Sequence, residues 1–271
     1  MKKTVFITGS SAGIGKATAV YFLKNGWNVV ASMRSPENET ELINSDSLII
    51  ARLDVCDSLS IKQSIELGLA HFGRIDVLVN NAGYALTGPF EDASKEQIQR
   101  QFQTNVIGLF DVCRAILPHF RTKRSGTIIN VASVGGRLTF PFYSLYHSTK
   151  WAVEGFSESL QHELLSYNIK VKVIEPGPIK TEFYSRSMDF STEGKSSVYE
   201  MNHQKAIKNM QSFVDQGGTP AQVAKVIYSA AISNSNKLRY SAGTGAGLML
   251  FFRKIMPDSF FNKIINWIVM K

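Results

Sequence analysis

Thr4-Val-Phe-Ile-Thr-Gly-Ser-Ser-Ala-Gly-Ile-Gly15 decides how this chain folds. An apolar run, Thr4–Thr8, leads straight into glycines at 9, 13 and 15. The next stretch, to Asn25, carries Ala17, Val20, Tyr21 and Leu23 at helical spacing, and Gly26 follows as a C-cap. Gly9, Gly13 and Gly15 permit a tight turn and a close approach of backbone to phosphate. The helix that follows offers unpaired N–H groups and a positive dipole end to a pyrophosphate. A glycine cluster alone is a weak signal; lying between a strand and a helix gives it weight.

The same alternation continues outward. Asn28–Ser32, Leu48–Leu53, Val77–Asn80, Gly126–Ala132 and Lys170–Glu175 are dense in Val and Ile and lack period-two alternation. Strands of a parallel sheet covered on both faces read this way. Helical patterns lie between them at Ser58–Phe72, Ser94–Phe120 and Tyr146–Ser166, with Ser58 as the expected cap. The expected fold is α/β: one Rossmann-type doubly wound parallel sheet with helices on both faces and a C-terminal helical extension. No linker or repeat divides the chain, so one domain over residues 1–271 is expected. Residues 178–217 are polar, with scattered Phe183, Met188, Phe190, Tyr199, Met201, Met210 and Phe213, and read as a substrate loop. Thr219-Pro220 opens a helix to about Ser233, and residues 241–271 form an apolar, basic extension divided at Pro257.

Composition narrows the class. Of 271 residues 44% are hydrophobic and 19% charged, as in globular proteins. Two cysteines, Cys56 and Cys113, make neither a disulfide framework nor a metal site, so no metal is expected. The N-terminal apolar run breaks at Thr8-Gly9, too short for a signal peptide, and a cytoplasmic protein with reduced thiols is expected. The net charge of +8 suits a solvated basic surface, a phosphorylated cofactor, an acidic carrier or an anionic membrane. The basic run Arg121-Thr-Lys-Arg124 has no aromatic interleaving, so nucleic acid is not an expected partner.

The second strand runs out into Met33 and Arg34 with no acid. An NAD site places Asp or Glu there to hold the ribose. A guanidinium suits a 2′-phosphate through charge-assisted hydrogen bonds, so NADP(H) is expected. Glu37 would favour NAD if the strand ran further, and Ser10 offers a hydroxyl to the phosphate.

Tyr146 and Lys150 are four apart on one helix face. A neighbouring ammonium favours the phenolate and would pull the tyrosine's pKa toward neutral pH, so that it exchanges a proton with an alcohol or carbonyl oxygen. Ser133 lies just past a strand, where the carboxyl ends of parallel strands line a ligand crevice. No histidine–carboxylate pairing accompanies it, so a hydrolase triad is not suggested. His147, beside the tyrosine, reads as structural.

Thr8–Gly15, Asn80-Asn81-Ala82-Gly83, Asn105, Ser133, Tyr146-x-x-x-Lys150 and Pro176-Gly177 follow one another over residues 1–180 in an order and spacing that resembles the short-chain dehydrogenase/reductase family. The resemblance implies direct hydride transfer between a nicotinamide and a carbonyl or alcohol carbon. Tyr146 would be the acid/base, Lys150 would hold the nicotinamide ribose, Ser133 would orient the carbonyl and Asn105 would hold a water for proton relay. Cofactor contacts would come from Gly9, Ser10, Ser11, Gly13, Ile14 and Gly15 in the turn. Arg34 would meet the 2′-phosphate, Asp54 and Val55 the adenine, and Asn81, Ala82 and Gly83 the adenosine ribose. Pro176, Gly177, Ile179 and Thr181 would meet the nicotinamide end. The family's habit also implies a homodimer or homotetramer, paired through Ser94–Phe120 and Tyr146–Ser166.

The pattern fades after about residue 182. The tail from Ser241 resembles the extension of 17β-hydroxysteroid and retinol dehydrogenase-like members. With the aromatic stretch Gly135–Ser144, this implies an apolar carbonyl or alcohol substrate. A 3-oxoacyl carrier reductase and a non-catalytic dinucleotide-binding regulator stay open as alternatives. The tail would pack on the core or lid the pocket, form a subunit contact, or lie on a membrane surface.

Overall fold

All five residues of the first strand are buried, because both faces of the sheet it centres are covered. The structure, a computed structural model, describes residues 2–181, 187–191 and 197–271. Its strands are β1 (Thr4–Thr8), β2 (Asn28–Met33), β3 (Leu48–Arg52), β4 (Val77–Asn80), β5 (Ala85–Thr87), β6 (Gly126–Val131), β7 (Ile169–Pro176), β8 (Met188–Phe190) and β9 (Arg239–Ala242). Its helices are α1 (Gly13–Lys24), α2 (Ser58–Phe72), α3 (Lys95–Phe102), α4 (Gly108–Lys123), α5 (Ser144–Leu164), α6 (Ser197–Asp215), α7 (Pro220–Ile232), α8 (Ala246–Ile255) and α9 (Asp258–Met270).

Seven strands form one parallel sheet in the order β3-β2-β1-β4-β6-β7-β9. Side chains alternate across it. Phe6, Val30, Leu78 and Ile128 face a core with Ile61, Ile116, Phe120 and Val153 from α2, α4 and α5. Val5, Ile7, Val29 and Ile174 face the other core, with Phe22 of α1 and Val223 and Ile227 of α7. This is the Rossmann-type doubly wound arrangement. The chain winds outward from β1 to β3, then restarts at β4 on the other side of β1. A crevice therefore opens at the carboxyl ends of β1 and β4.

Four local expectations are corrected. The cap of α2 is Asp57 rather than Ser58: its carboxylate accepts from the Leu59 and Ser60 N–H groups. Ser94–Phe120 is not a uniform helix, because a π turn at Gln103–Ile107 separates α3 from α4. Residues 178–217 are not one loop: β8 pairs with β5, and α6 buries Ala206, Met210 and Val214 at four-residue spacing. Phe183 lies outside the described residues. The strand β9, which adds the sheet's last edge, was not expected from Arg239–Ala242.

The tail forms α8 and α9, parted at Pro257. Phe261, Ile265 and Val269 bury against Met210, Val134, Leu138 and Tyr143, and Tyr146 packs on this third cluster. No helix among the described residues is long and apolar enough to cross a membrane.

Candidate active site

The glycine turn leaves no room for a side chain at Gly9 and Gly15. Gly9 and Gly13 hold φ of 70° and 55°, a region that disfavours other residues. A Cβ on Gly15 would stand 2.1 Å from the Gly9 carbonyl oxygen, and one on Gly9 would stand 2.9 Å from Ala82 Cα. Asn81 locks the turn: its amide donates to the carbonyls of Thr8 (3.0 Å) and Gly9 (2.9 Å). The Thr8 hydroxyl in turn accepts from the Asn81 and Ala82 N–H groups, both at 3.0 Å. The Asn81 side chain thus shapes the turn.

Ser10 also faces inward. It is fully buried, and its hydroxyl donates to the Ile7 carbonyl at 3.1 Å, so it closes the turn from inside. Ser11, Gly13 and Thr181 instead line a cleft of about 880 Å³. Ile14 is half-buried beside the second core, and its carbonyl accepts from the Thr18 hydroxyl at 2.7 Å. Two cations at this cleft, Lys16 and Lys180, escaped the sequence reading. Lys16 follows Gly15 directly, which was its signal. Its ammonium holds Glu39 at 3.0 Å and Glu41 at 3.1 Å, tying the loop after β2 to α1.

Arg34 stands exposed immediately past β2. Burial pushes the Cys56 thiol up, and the Arg34 guanidinium is among the charges that act on it. Arg34 therefore borders the β3–α2 turn that carries Asp54 and Val55. Asp54 Oδ1 accepts from the Cys56 N–H at 2.9 Å, and Val55 is buried. Because β2 ends at Met33, Glu37 falls in an exposed 3-10 turn, Pro36–Asn38, and does not extend the strand.

At the other end of the crevice, Ser133 follows β6 and Pro176-Gly177 closes β7. Ser133 Oγ accepts from the Gly135 N–H at 3.0 Å and lies 3.5 Å from the Pro176 carbonyl oxygen. It is hydrogen-bonded to the Tyr146 hydroxyl. Lys150, one turn on, is buried and donates to the Val131 carbonyl at 2.9 Å; its nitrogen is 5.7 Å from the centre of the Tyr146 ring. Gly83 backs onto it, since a Cβ there would be 3.9 Å from the ammonium nitrogen. Ile179 is only 4% exposed and packs as core, while Thr181 faces Gly13.

The expected depression of the Tyr146 pKa is not found in the protein itself. Burial dominates and pushes the hydroxyl up to about 12, with the Ser133 bond acting against it. Burial also brings Lys150 down to about 8, against the pull of Glu154. Both groups pay for leaving water. His147 is structural, as expected: it bridges the Gly135 carbonyl and the Phe140 N–H, each at 2.9 Å, and burial lowers it to about 4.

Asn105 sits in the π turn, where such turns often mark functional sites. Its side chain is spent on the protein. Oδ1 accepts from the Tyr84 N–H (3.0 Å), and Nδ2 donates to the Tyr84 carbonyl (2.8 Å) and to Thr149 (3.1 Å). It positions α5 against the strand that follows Gly83. No cluster of metal-ligating side chains occurs among the described residues.

A second, apolar cavity of about 310 Å³ lies under the tail, between Phe140, Pro178, Met210, Phe252, Phe261 and Ile265. It abuts the cluster on which the Tyr146 ring packs.

A parallel sheet with a glycine cradle at its switch point, and a Ser–Tyr–Lys group at the ends of β6 and α5, defines a dinucleotide-dependent oxidoreductase. A family model of short chain dehydrogenases matches residues 3–191, and the chain belongs to that family. It is 39% identical over 275 residues to the uncharacterized oxidoreductase YusZ of Bacillus subtilis, covering 98% of each chain. It is 34% identical over 271 residues to retinol dehydrogenase 8 of Bos taurus, covering 94% of this chain and 86% of that one. Its fold is similar to that of a short-chain dehydrogenase from Streptomyces avermitilis, with a TM-score of 0.84, 32% identity, and 98% and 96% of the two chains covered. The protein is thus an oxidoreductase of alcohol and carbonyl groups that binds a nicotinamide dinucleotide.

Proposed function

We propose that the protein is an NADP(H)-dependent reductase of apolar ketones or aldehydes. The observation that carries this is the Ser133–Tyr146 hydrogen bond placed beside Lys150, with the Tyr146 ring packed on the apolar cluster that walls the second cavity. The cradle fits the dinucleotide: glycines let β1, the turn and α1 pack closely enough for the α1 N-terminus to border the cleft, and Ser11, Lys16, Lys180 and Thr181 line it with donors for phosphate oxygens. When bound, the dinucleotide supplies the hydride that reaches the carbonyl carbon.

The chain's own part is to hold the carbonyl and deliver a proton. The Ser133 hydroxyl holds the oxygen in line. With its pKa raised by burial, Tyr146 is protonated at neutral pH and gives its proton to that oxygen as the alcohol forms. The Lys150 ammonium then steadies the phenolate and holds ribose hydroxyls. Asn105 keeps α5 in register.

Because Lys150 loses its proton near pH 8, turnover in the reductive direction is expected to fall as pH rises through about 8. A pH profile of NADPH oxidation checks this, and a flat profile to pH 10 would contradict it. Arg34 argues for the phosphorylated cofactor. Charged hydrogen bonds contribute about 1.5–3 kcal/mol, so Arg34→Ala is expected to weaken NADPH at least tenfold and leave NADH unchanged. Fluorescence titration with both cofactors decides it; equal loss for both would remove the 2′-phosphate from the argument. Exposed Ile107 and Trp151, beside and on α4 and α5, support pairing of copies through those helices.

The reading as a whole is tested by NADPH oxidation against steroid, retinoid, aliphatic and acyl-thioester ketones. Turnover confined to the acyl thioesters would favour a carrier reductase instead. Tight NADPH binding with no turnover would favour a regulator.

A further inference from the structure

The C-terminal extension covers the catalytic side of the molecule but leaves its own outer face uncovered. On α8, Leu248, Phe251, Phe252 and Ile255 recur at i, i+3, i+4 and i+7, and three of them are at least 56% exposed. On α9, Phe260 and Trp267 are 54% and 62% exposed, with Lys263 between them. The Lys271 ammonium lies 4.6 Å from the Trp267 ring. Apolar faces of this kind mark contact surfaces rather than water-facing helices. The same two helices and the residue that ends α9 carry Arg253, Lys254, Lys263 and Lys271 against one side-chain carboxylate, Asp258, which Arg253 pairs with. The patch is also continuous with the interior, because Phe252 is at once part of the exposed stripe and part of the apolar cavity wall.

We propose that α8 and α9 dock on an anionic phospholipid bilayer, and that the cavity beneath them takes the apolar chain of a membrane-dissolved carbonyl substrate toward Tyr146. Charge chooses the bilayer over a second copy of the chain. A two-fold contact through this face would set its cations against themselves, whereas phosphatidylglycerol or similar headgroups complement them. Length chooses lying over spanning. Helices of 10 and 13 residues reach about 15–20 Å, short of the roughly 30 Å hydrocarbon core. The arrangement matches an interfacial helix: apolar side chains sink into the acyl boundary, Trp267 sits at headgroup level, and the lysines reach up to phosphate. An apolar chain passing from the acyl region into the cavity then never crosses water.

The docking stands independently, while the access route rests on the reductase reading. Both are tested with the full-length protein and vesicles of phosphatidylcholine alone, or of equal parts phosphatidylcholine and phosphatidylglycerol. Sedimentation should carry the wild type down with the mixed vesicles and far less with the neutral ones. Added salt should weaken the binding. Phe251→Gln with Phe260→Gln changes two exposed residues outside the cavity wall. It should cut the partition at least tenfold, on the order of one buried aromatic side chain. Lys254→Gln with Lys263→Gln should remove about fivefold per lysine, and only from the anionic vesicles. Both variants should bind NADPH and reduce a short water-soluble ketone as the wild type does. With a long-chain ketone carried in the anionic vesicles, the double Phe variant should turn over at least tenfold more slowly.

Wild type left in the supernatant with anionic vesicles overturns the docking. So does a double Phe variant that partitions unchanged. Light scattering that shows the Phe substitutions splitting a dimer assigns the face to a second copy and overturns it too. Equal turnover of the vesicle-borne ketone by wild type and the Phe variant overturns the access route. Vesicle binding without turnover of any ketone leaves the docking in place and removes only the reductase reading.

Discussion

Tyr146→Phe is expected to lower ketone reduction by ~10²–10⁴-fold, the usual contribution of a positioned general acid, while NADPH binds as before. The substitution removes one oxygen and little else. The ring keeps its place on the cluster of Val134, Tyr143 and Met210, and the fold is not disturbed. What is lost is the proton donor beside Ser133. The Ser133 hydroxyl still accepts from Gly135, so it stays in position and can hold the carbonyl oxygen without protonating it. The effect should therefore fall on kcat, with KM nearly unchanged. Single-turnover measurement of NADPH oxidation checks this, alongside a fluorescence titration of NADPH. Near-wild-type turnover in the Phe variant would remove Tyr146 from the chemistry altogether.

Gly15→Ala is the second large expectation. One methyl group would sit 2.1 Å from the Gly9 carbonyl oxygen and 2.6 Å from the Asn81 amide nitrogen. Neither is the end of a flexible chain. The first is backbone, and the second is held by two hydrogen bonds to Thr8 and Gly9. Relief requires α1 to move away from β1, which opens the cradle. Overpacking of a tight site costs about 1–3 kcal/mol, so a fall in Tm of several degrees is expected together with loss of measurable NADPH binding. Calorimetry and titration read the two effects separately. A variant that binds NADPH normally would show that the cradle is not the phosphate site. Ser11→Ala serves as the companion, since Ser11 lines the same cleft without supporting the turn; it should weaken binding and leave Tm alone.

Much of the fold was legible because a parallel sheet covered on both faces demands continuous Val- and Ile-rich strands, and β1, β4 and β6 carry them. The turn was legible because only glycine tolerates its backbone angles. α6 reads as loop because its apolar residues are not confined to one face: Val198 and Met201 stand exposed while Ala206, Met210 and Val214 are buried, which blurs the helical period. β9 was illegible for a different reason. Arg-Tyr-Ser-Ala is a strand only because β7 offers it an edge and because Arg239 is drawn in by the Glu154 and Glu158 carboxylates.

The same division holds at the site. Residue types and spacing alone named Ser133, Tyr146, Lys150 and the glycine turn, because proton transfer and phosphate approach admit few substitutes. Contacts show structural bonds at three other residues that sequence did not hold. Ser10 turned inward to the Ile7 carbonyl, Asn81 became the lock on the glycine turn, and Asn105 became the tie between Tyr84 and Thr149. A side chain with several hydrogen-bonding options takes the partner that the fold brings nearest, and sequence does not hold that distance. The titration of Tyr146 was likewise a tertiary matter. A lysine one helical turn away argued for a lower pKa, but packing on the third cluster removes water from the hydroxyl, and that burial outweighs the Ser133 hydrogen bond that acts against it. The family and its chemistry were thus written in local pattern, while the protonation state of the acid, the apolar cavity and the exposed face of α8 and α9 exist only because distant segments meet.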